Sequence, residues 1–501
     1  MIDDRRNLDP KYNAFEYQKD AVNRLKNLEY GAIFHEQGLG KSKIALDLIL
    51  HWLQFDKVEK VILVVKKTLV NNWKRELEHH TFLNCRIVGN DPVENRKAFI
   101  TRCNIIIAHY ESVPYELTRF KSLIRENRTA MILDESTKIK NPNAGISKVF
   151  HELSHELTKR FILTGTPVAN RPYDVWSQIF FLDFGRSLGR DFKEFKKRYD
   201  LDNKMSDGAL SDSQAAACSS LFICERQNEF THALLDMKNK LASFCVRENK
   251  TSEHIDLPEK IIKNIACQWE QNQLAMYKTY KNELSSIVVR GNKIIDDSTN
   301  SILKKLLRFV QIASNPRLVD EQYRNKSGKE EKLDRLLKDI DMKDEKVIVW
   351  STFIETAKFL SAKYKSLSPA RVDGSMTIDR RQYNIDKFLN NHNCKALFAT
   401  TGAAKEGLTL TVANHAIFYD RGFSLDDYLQ AQDRIHRVSQ INTCYVYNLV
   451  MEDSVDEWVE SLLSAKSHAA QLAQGDIELS TFQEEEDFTY GEILRRVLDV
   501  E

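Results

Sequence analysis

Seven short apolar runs, rich in β-branched residues and separated by segments of helical period, constrain this chain more than any other feature. They are "VILVV" (61–65), "NIIIA" (104–108), "AMILD" (130–134), "RFILTG" (160–165), "KVIVW" (346–350), "KALFATT" (395–401) and "HAIFYD" (415–420). Strand-length runs that are apolar at nearly every position need cover on both faces, which means parallel sheets with helices on either side. The runs fall into two groups, one before residue 170 and one after 345. The stretch between them, about 172–340, carries helical patterns such as "SILKKLLRFVQIA" (301–313) and few strand-like runs. A polar, turn-rich segment at 200–220 reads as a surface loop, and Leu257-Pro258 and "NKSGKEEK" (325–332) read as joints. The expected fold class is α/β: two lobes separated by a helical insert. A length of 501 residues, too great for one core, agrees with this.

Composition narrows the class further. A hydrophobic fraction of 42% with 29% charged residues is that of a soluble globular protein. No apolar run approaches the roughly 20 residues of a membrane span, so no membrane is expected, and "MIDDRRNLDP" has no apolar core for a signal peptide. Eight cysteines without a C-x-x-C pair fit neither a zinc cage nor a disulfide scaffold, and point to a reducing interior, cytoplasmic or nuclear. The net charge of +1 is unevenly spread: residues 476–501 carry −7, which leaves +8 on the first 475. That surplus is compatible with nucleic acid. The acidic end reads as a solvated or weakly helical tail, with a self-inhibitory polyanion mimic as the alternative.

Four segments carry chemistry. In "HEQGLGKSKIALDLIL" (35–50), Gly38 and Gly40 let the backbone pass close to an anion before a helix begins. Lys41 would then reach the β and γ phosphates of ATP, and Ser42 would ligate Mg²⁺. The first Gly of the usual phosphate-loop pattern is replaced by His35, which reads as a loop residue rather than a base. In "AMILDESTKIKNP" (130–142), an apolar strand delivers Asp134 and Glu135 to the carboxyl edge of a parallel sheet. One carboxylate can hold Mg²⁺ through water and the next can deprotonate the attacking water. Such a pair is common, and its weight comes from the company of Lys41. In "RFILTGTPVANRPYDVWSQ" (160–178), Thr164 and Thr166 flank Gly165 after another strand. In "QAQDRIHRVSQ" (430–440), Arg434 and Arg437 lie three apart on one helical face. Such a pair is usually a solvated face, but in a two-lobed ATPase it could reach across a cleft to transition-state charge.

Together these motifs resemble superfamily two helicase motors, and among them the Swi/Snf-type DNA translocases related to chromatin remodellers. The likeness runs in order along residues 14–460. "FEYQKDAV" (15–22) resembles the family's adenine-reading Gln motif, "HEQGLGKS" its D-E-M-G-L-G-K-T loop, and "VVKKTLVNNWKREL" (64–77) its first DNA-contact motif. "DESTKIKNP" stands for D-E-A-H-x-I-K-N, and "LTGTPVAN" fits the coupling motif. "LASFCVRENKTSEHIDLPEK" (241–260) and "FVQIASNPRLV" (309–319) are similar to the segments around the helical protrusions. "VDGSMTIDRRQYNIDKF" (372–388), "TTGAAKEGLTLTVANHAIFYD" (400–420) and "QAQDRIHRVSQ" complete the set. Departures are Ser136-Thr137 for Ala-His, Val438-Ser439 for Ile-Gly, and Lys405-Glu406 inside the fifth motif. The last is nearer the distant annealing-helicase branch than the core remodellers.

The resemblance implies two RecA-like parallel-sheet lobes with helical protrusions between them. The implied boundaries are lobe 1 at 1–171, protrusion 1 with its loop at 172–258, protrusion 2 and linker at 259–330, lobe 2 at 331–465, and an acidic tail at 466–501. It implies an ATP-dependent double-stranded DNA translocase, with a strand-separating or branch-migrating helicase and an ATPase-dead DNA-binding scaffold as alternatives. ATP would lie on Gln18, Gly38, Leu39, Gly40, Lys41, Ser42, Gly407 and Gln430, with Gln18 reading the adenine edge. Mg²⁺ would lie on Ser42 and Asp134, Glu135 would be the base, and Arg434 and Arg437 the arginine fingers. Thr164, Gly165 and Thr166 would couple hydrolysis to movement. Lys67, Thr68, Tyr110, Thr352, Arg381 and Thr401 would face duplex DNA, mainly at phosphates and independently of sequence. The chain has the look of a compact motor of bacterial or viral type, cytoplasmic there and nuclear in a eukaryote.

Overall fold

The computed structural model describes residues 7–101, 103–168, 171–199, 232–250, 252, 255, 257–291, 299–406, 409–437, 439–477 and 497. The surface loop expected at 200–220, Gly407 and nearly all of the acidic stretch after Ile477 lie outside the described residues. The chain forms two compact units. The first is Met1–Asp256 with Ala469–Phe482, the second Leu257–His468 with Gln483–Glu501.

The first unit is built on β1 (Tyr30–Ile33), β2 (Lys60–Val65), β3 (Cys85–Val88), β4 (Ile105–His109), β5 (Thr129–Asp134), β6 (Lys159–Leu163) and β7 (Cys245–Val246). They form one sheet in the order β3-β4-β2-β5-β6-β1-β7, parallel throughout. Side chains alternate between two cores. Ile62, Val64, Ile106, Met131 and Leu133 enter one, while Val61, Leu63, Ile105, Ile107 and Ile132 enter the other. Covering both faces is why these runs are apolar at every position. Each such side chain contributes about 1.5–3 kcal/mol on burial.

The second unit repeats the plan with β8 (Lys260–Cys267), β9 (Val347–Ser351), β10 (Ala370–Val372), β11 (Ala396–Thr400), β12 (His415–Phe418) and β13 (Cys444–Met451). Their order is β10-β11-β9-β12-β13-β8, again parallel throughout. Val349, Phe398 and Ile417 face one core; Ile348, Trp350, Leu397 and Phe418 face the other. The fold is thus two RecA-like α/β lobes.

Three expected boundaries are corrected. Cys245–Val246, placed in protrusion 1 by the sequence, is the edge strand of the first sheet. Lys260–Cys267, placed in protrusion 2, is the edge strand of the second. An edge strand needs less apolar cover, and Lys263 and Asn264 interrupt its pattern. The helices Gln271–Gly291 and Thr299–Ser314 do form, and Tyr277, Leu306, Phe309 and Val310 bury into the core that holds Val349. Finally, the helix Val455–Gln474 runs into the expected tail, and Leu472 and Ala473 are buried in a core of the first unit.

Candidate functional site

In a parallel sheet every strand delivers its following loop to the same edge. In the first unit that edge collects the loops after β1, β2, β4, β5 and β6. After β1 the chain turns through Gly38 (φ +87) and Gly40 (φ +67), both in the left-handed region that glycine enters without strain. The helix Lys41–Gln54 starts directly after Gly40, so its free N–H groups open onto the loop. Lys41 bends back over this loop, and its ammonium donates to the carbonyls of His35 (2.9 Å) and Glu36 (3.1 Å). It is 9% exposed, enclosed by the loop itself. Ser42 is half-buried in the first turn of that helix.

Gln18 lies beside the same loop. Its Oε1 accepts from Phe15 N (3.0 Å), and its Nε2 donates to the carbonyl of the fully buried Leu39 (3.4 Å). Both ends of the amide are engaged within the fold, which ties Gln18 to the Gly-rich loop. His35 is buried too, and its pKa is lowered to about 3, first by loss of solvent and then by the nearby Lys41. It is a neutral ring packed under the loop, as a loop residue should be.

The acidic pair follows β5. Asp134 is buried, and its carboxylate accepts from Trp73 Nε1 (2.7 Å) and from Glu135 N (3.0 Å). Burial and then the charge of Glu135 push its pKa up to about 6, against the opposing effects of Trp73, Lys41 and Lys66. Glu135 has φ +53, a left-handed conformation strained for a non-glycine residue and typical of functional turns. Its Oε1 accepts from Gln37 Nε2 (3.1 Å), and Lys66 Nζ lies 3.7 Å from Oε2. Buried carboxylates facing lysines are a donor set that suits a divalent cation beside phosphate.

The third loop, Thr164–Thr166, closes on itself: Thr166 N donates to Thr164 Oγ1 at 3.2 Å. Gly165 presses on the first loop. A Cβ there would stand 3.0 Å from Gln37 Cγ and 3.1 Å from Gln37 N, so no larger residue fits without displacing the loop. Gln37 therefore touches Gly165 and holds Glu135. It fills the position of Met in the D-E-M-G-L-G-K-T motif, and nothing in its spacing announces the part it plays.

Among the residues expected to face DNA, Lys67 is exposed and Thr68 half-buried in the short turn after β2. Tyr110 is corrected. It is 0% exposed, and its hydroxyl donates to Asp134 O (2.8 Å) while its ring meets Phe150 edge-on. It braces the acidic loop from inside, which excludes a DNA contact from this position.

In the second unit Thr352 follows β9, its N–H donating to Asp420 Oδ1 (2.6 Å); Asp420 also accepts from Ser314 and Ser351, both at 2.7 Å. Thr401 is buried at the start of the turn after β11. Arg381, half-buried on the helix Ile378–Asn390, donates to Gly374 O at 3.2 Å. Gln430 is buried on the helix Leu425–Gln432 and donates to Asp426 Oδ1 (2.8 Å). That helix ends at Gln432, so Arg434 and Arg437 lie in the turn beyond it and not on a helical face. Nor is the turn a solvated one. Arg434 is 1% exposed, and Arg437 is half-buried, donating to Asp433 O (2.9 Å) and Thr409 Oγ1 (2.8 Å).

With this geometry in place, comparison with known proteins is decisive. The SNF2-related domain matches residues 17–318, more than half of the chain. The chain belongs to the SNF2-related family. The helicase conserved C-terminal domain matches residues 328–439 of the same SNF2-related chain. It is 26% identical over 481 residues to the ISWI chromatin-remodeling complex ATPase ISW1 of Saccharomyces cerevisiae, covering 91% of this chain and 40% of that protein. It is 25% identical to an uncharacterized ATP-dependent helicase of Mycoplasma pneumoniae, over 88% of this chain and 40% of that one. The chain thus spans about two fifths of the length of these relatives. Among solved structures, the Sulfolobus solfataricus SWI2/SNF2 ATPase core in complex with dsDNA aligns over 98% of both chains at 24% identity, with a TM-score of 0.42. No helix among the described residues is long and apolar enough to cross a membrane.

Sequence reasoning missed Trp73, Gln37, Lys66 and Arg247. Trp73 reads as the apolar anchor of an amphipathic helix, which it also is. Its indole N–H finds Asp134 across 61 residues of sequence, and no local pattern carries that information.

Proposed function

We propose that this SNF2-related chain is an ATP-dependent translocase on double-stranded DNA. The observation that carries the reading is the shared sheet edge in the first unit, where the Asp134–Glu135 pair and Thr164–Thr166 meet around Gln37, in the loop that also enfolds Lys41. Lys41, now resting on two loop carbonyls, would exchange them for the β and γ phosphate oxygens of ATP. The N–H groups from Gly38 to Ser42 would hold the same phosphates. Ser42 and Asp134 fit a Mg²⁺ ion, Asp134 through water. The ion would supply charge neutralisation on the phosphates. Glu135, steered by Gln37, would take the proton of the attacking water. Arg434 and Arg437 would act as fingers on the developing negative charge. Thr164–Thr166, in contact with Gln37, would pass the nucleotide state to the lobe. Lys67, Thr68, Arg381, Thr352 and Thr401 are the DNA-facing candidates that remain once Tyr110 is withdrawn.

The test is ATP turnover on duplex, single-stranded and forked DNA and on RNA, with displacement of a triplex-forming strand to report movement. Stimulation by duplex together with displacement supports the proposal. Stimulation with release of single strands instead identifies a strand-separating helicase. DNA binding without turnover identifies a scaffold, and stimulation by RNA alone overturns the substrate assignment.

A further inference from the structure

Arg247 ties Asp476, just beyond the helix Val455–Gln474, to the ATP-type site of the first unit. The backbone that leads into the Gly-rich loop is templated by residues 246–250. Phe34 N donates to Val246 O and Glu36 N to Glu248 O, both at 2.9 Å, and Lys250 N donates to Glu36 Oε2 at 2.8 Å. In the middle of this segment Arg247 turns inward. Its Nη1 donates to the carbonyl of Phe34, just ahead of the loop, and to that of Gly165 (3.1 Å), in the coupling loop. One nitrogen thereby spans the two loops that meet at Gln37.

The other side of the guanidinium is held by Asp476. Nε donates to Oδ1 at 3.0 Å and Nη2 to Oδ2 at 2.7 Å, a bidentate pair with both side chains largely buried. Asp476 is itself fixed in place. The helix Val455–Gln474 closes with Gly475 at φ +83, Gly475 N donating to Leu472 O (3.1 Å) and Asp476 N to Gln471 O (2.9 Å). This left-handed cap stops the helix and points Asp476 away from it. Leu472 and Ala473, buried in a core of the first unit, anchor the last turn.

We infer that Asp476 is a positioning residue for ATP hydrolysis: through Arg247 it sets the spacing of the Gly-rich loop and the coupling loop, and through Gln37 the placement of Glu135. The inference rests on the ATPase reading above. A bidentate carboxylate fixes the plane and rotamer of a guanidinium, which a single contact does not. Without it, Nη1 has no reason to stay on both carbonyls, since Glu36 Oε1, 3.7 Å from Nη2, is the alternative anion. Gly165 would then be free to move off Gln37. The first effect falls on the chemical step, because the carbonyls that Arg247 holds are those of Phe34 and Gly165, the second of them beside Gln37, and not the His35 and Glu36 carbonyls that receive Lys41.

The experiment compares Asp476→Asn, Asp476→Glu and Arg247→Lys with the wild-type full chain. It measures kcat, KM for ATP, melting temperature, and hydrogen exchange of peptides covering 34–40 and 163–168. Asp476→Asn should lower kcat about tenfold, equivalent to losing one charge-assisted contact, with KM within about twofold and a melting loss of a few degrees from the weakened buried pair, which Asp476→Glu should largely restore. Exchange should quicken in both peptides. Arg247→Lys, which lacks the fork, should behave alike, whereas Asp476→Glu keeps the pair and should recover most of the rate. An Asp476→Asn protein with wild-type kcat, or with wild-type exchange in both peptides, overturns the inference and leaves the ATPase reading standing. Wild-type protein that fails to hydrolyse ATP overturns both.

Discussion

Lys41 donates to two loop carbonyls and opens a helix rather than lying in a strand, so its removal should leave the sheet untouched while the phosphates lose their main charge partner. Lys41→Ala should abolish ATP turnover with melting within a few degrees of wild type, checked by a coupled phosphate assay and calorimetry. Glu135 separates binding from chemistry. Glu135→Gln keeps shape and the ability to accept from Gln37, but not the basicity, so ATP should bind and persist uncleaved in single-turnover measurements. Wild-type cleavage in that variant would return the role of base to Asp134. Trp73 acts one contact further out. Trp73→Phe deletes the donor to Asp134 Oδ2, which favours the charged carboxylate that a cation needs. The Mg²⁺ concentration for half-maximal turnover should rise several-fold, with a stability loss of order 1–3 kcal/mol from the cavity and the lost bond. An unchanged Mg²⁺ requirement would assign Trp73 to packing alone.

Among elements, the loop after β1 is the most exacting. Gly40 sits at φ +67, and a Cβ there would stand 2.3 Å from Gln18 Nε2. Gly40→Ala therefore combines backbone strain of about 1–2 kcal/mol with displacement of the glutamine that pins the loop. Weakened ATP binding in titrations should accompany a lower melting temperature. Binding at wild-type affinity would show that the loop tolerates another path. The central strands were legible because burial on two faces makes them apolar throughout. The edge strands β7 and β8 were not: one is two residues long, the other half-exposed and interrupted by Lys263 and Asn264. The turn holding Arg434 and Arg437 was misread as helix for a related reason. A three-residue spacing fits a helix equally well, and it is the end of Leu425–Gln432 that decides.

For the whole molecule, the demanding claim is that Arg434 and Arg437 act on an ATP bound by residues some 390 positions earlier in the sequence. Their burial changes the choice of variant. Arg434→Ala would leave a hole in a core position, whereas Arg437, half-buried and donating to Asp433 O and Thr409 Oγ1, gives the cleaner reading. As a finger, Arg437→Ala should lose on the order of 10³–10⁵ in kcat with little change in ATP affinity. Its duplex binding should persist and weaken steeply with salt. Full DNA-stimulated turnover in Arg437→Ala would remove that arginine from the chemistry.

The sequence alone determined the class of fold and the identity of the loops that carry chemistry, because both are written locally. Apolar strand runs demand two covered sheets, and glycines, Lys41 and the Asp134–Glu135 pair stand directly after strands that place them on one edge. What surrounds those groups was decided only in three dimensions. That Tyr110 braces Asp134 from within, that Gln37 joins three loops, and that Asp476 reaches Arg247 across 229 residues are outcomes of packing between distant segments. A hydrogen bond between residues far apart leaves no periodicity and no spacing in the chain, so it becomes visible only when the fold brings donor and acceptor within 3 Å or so of each other.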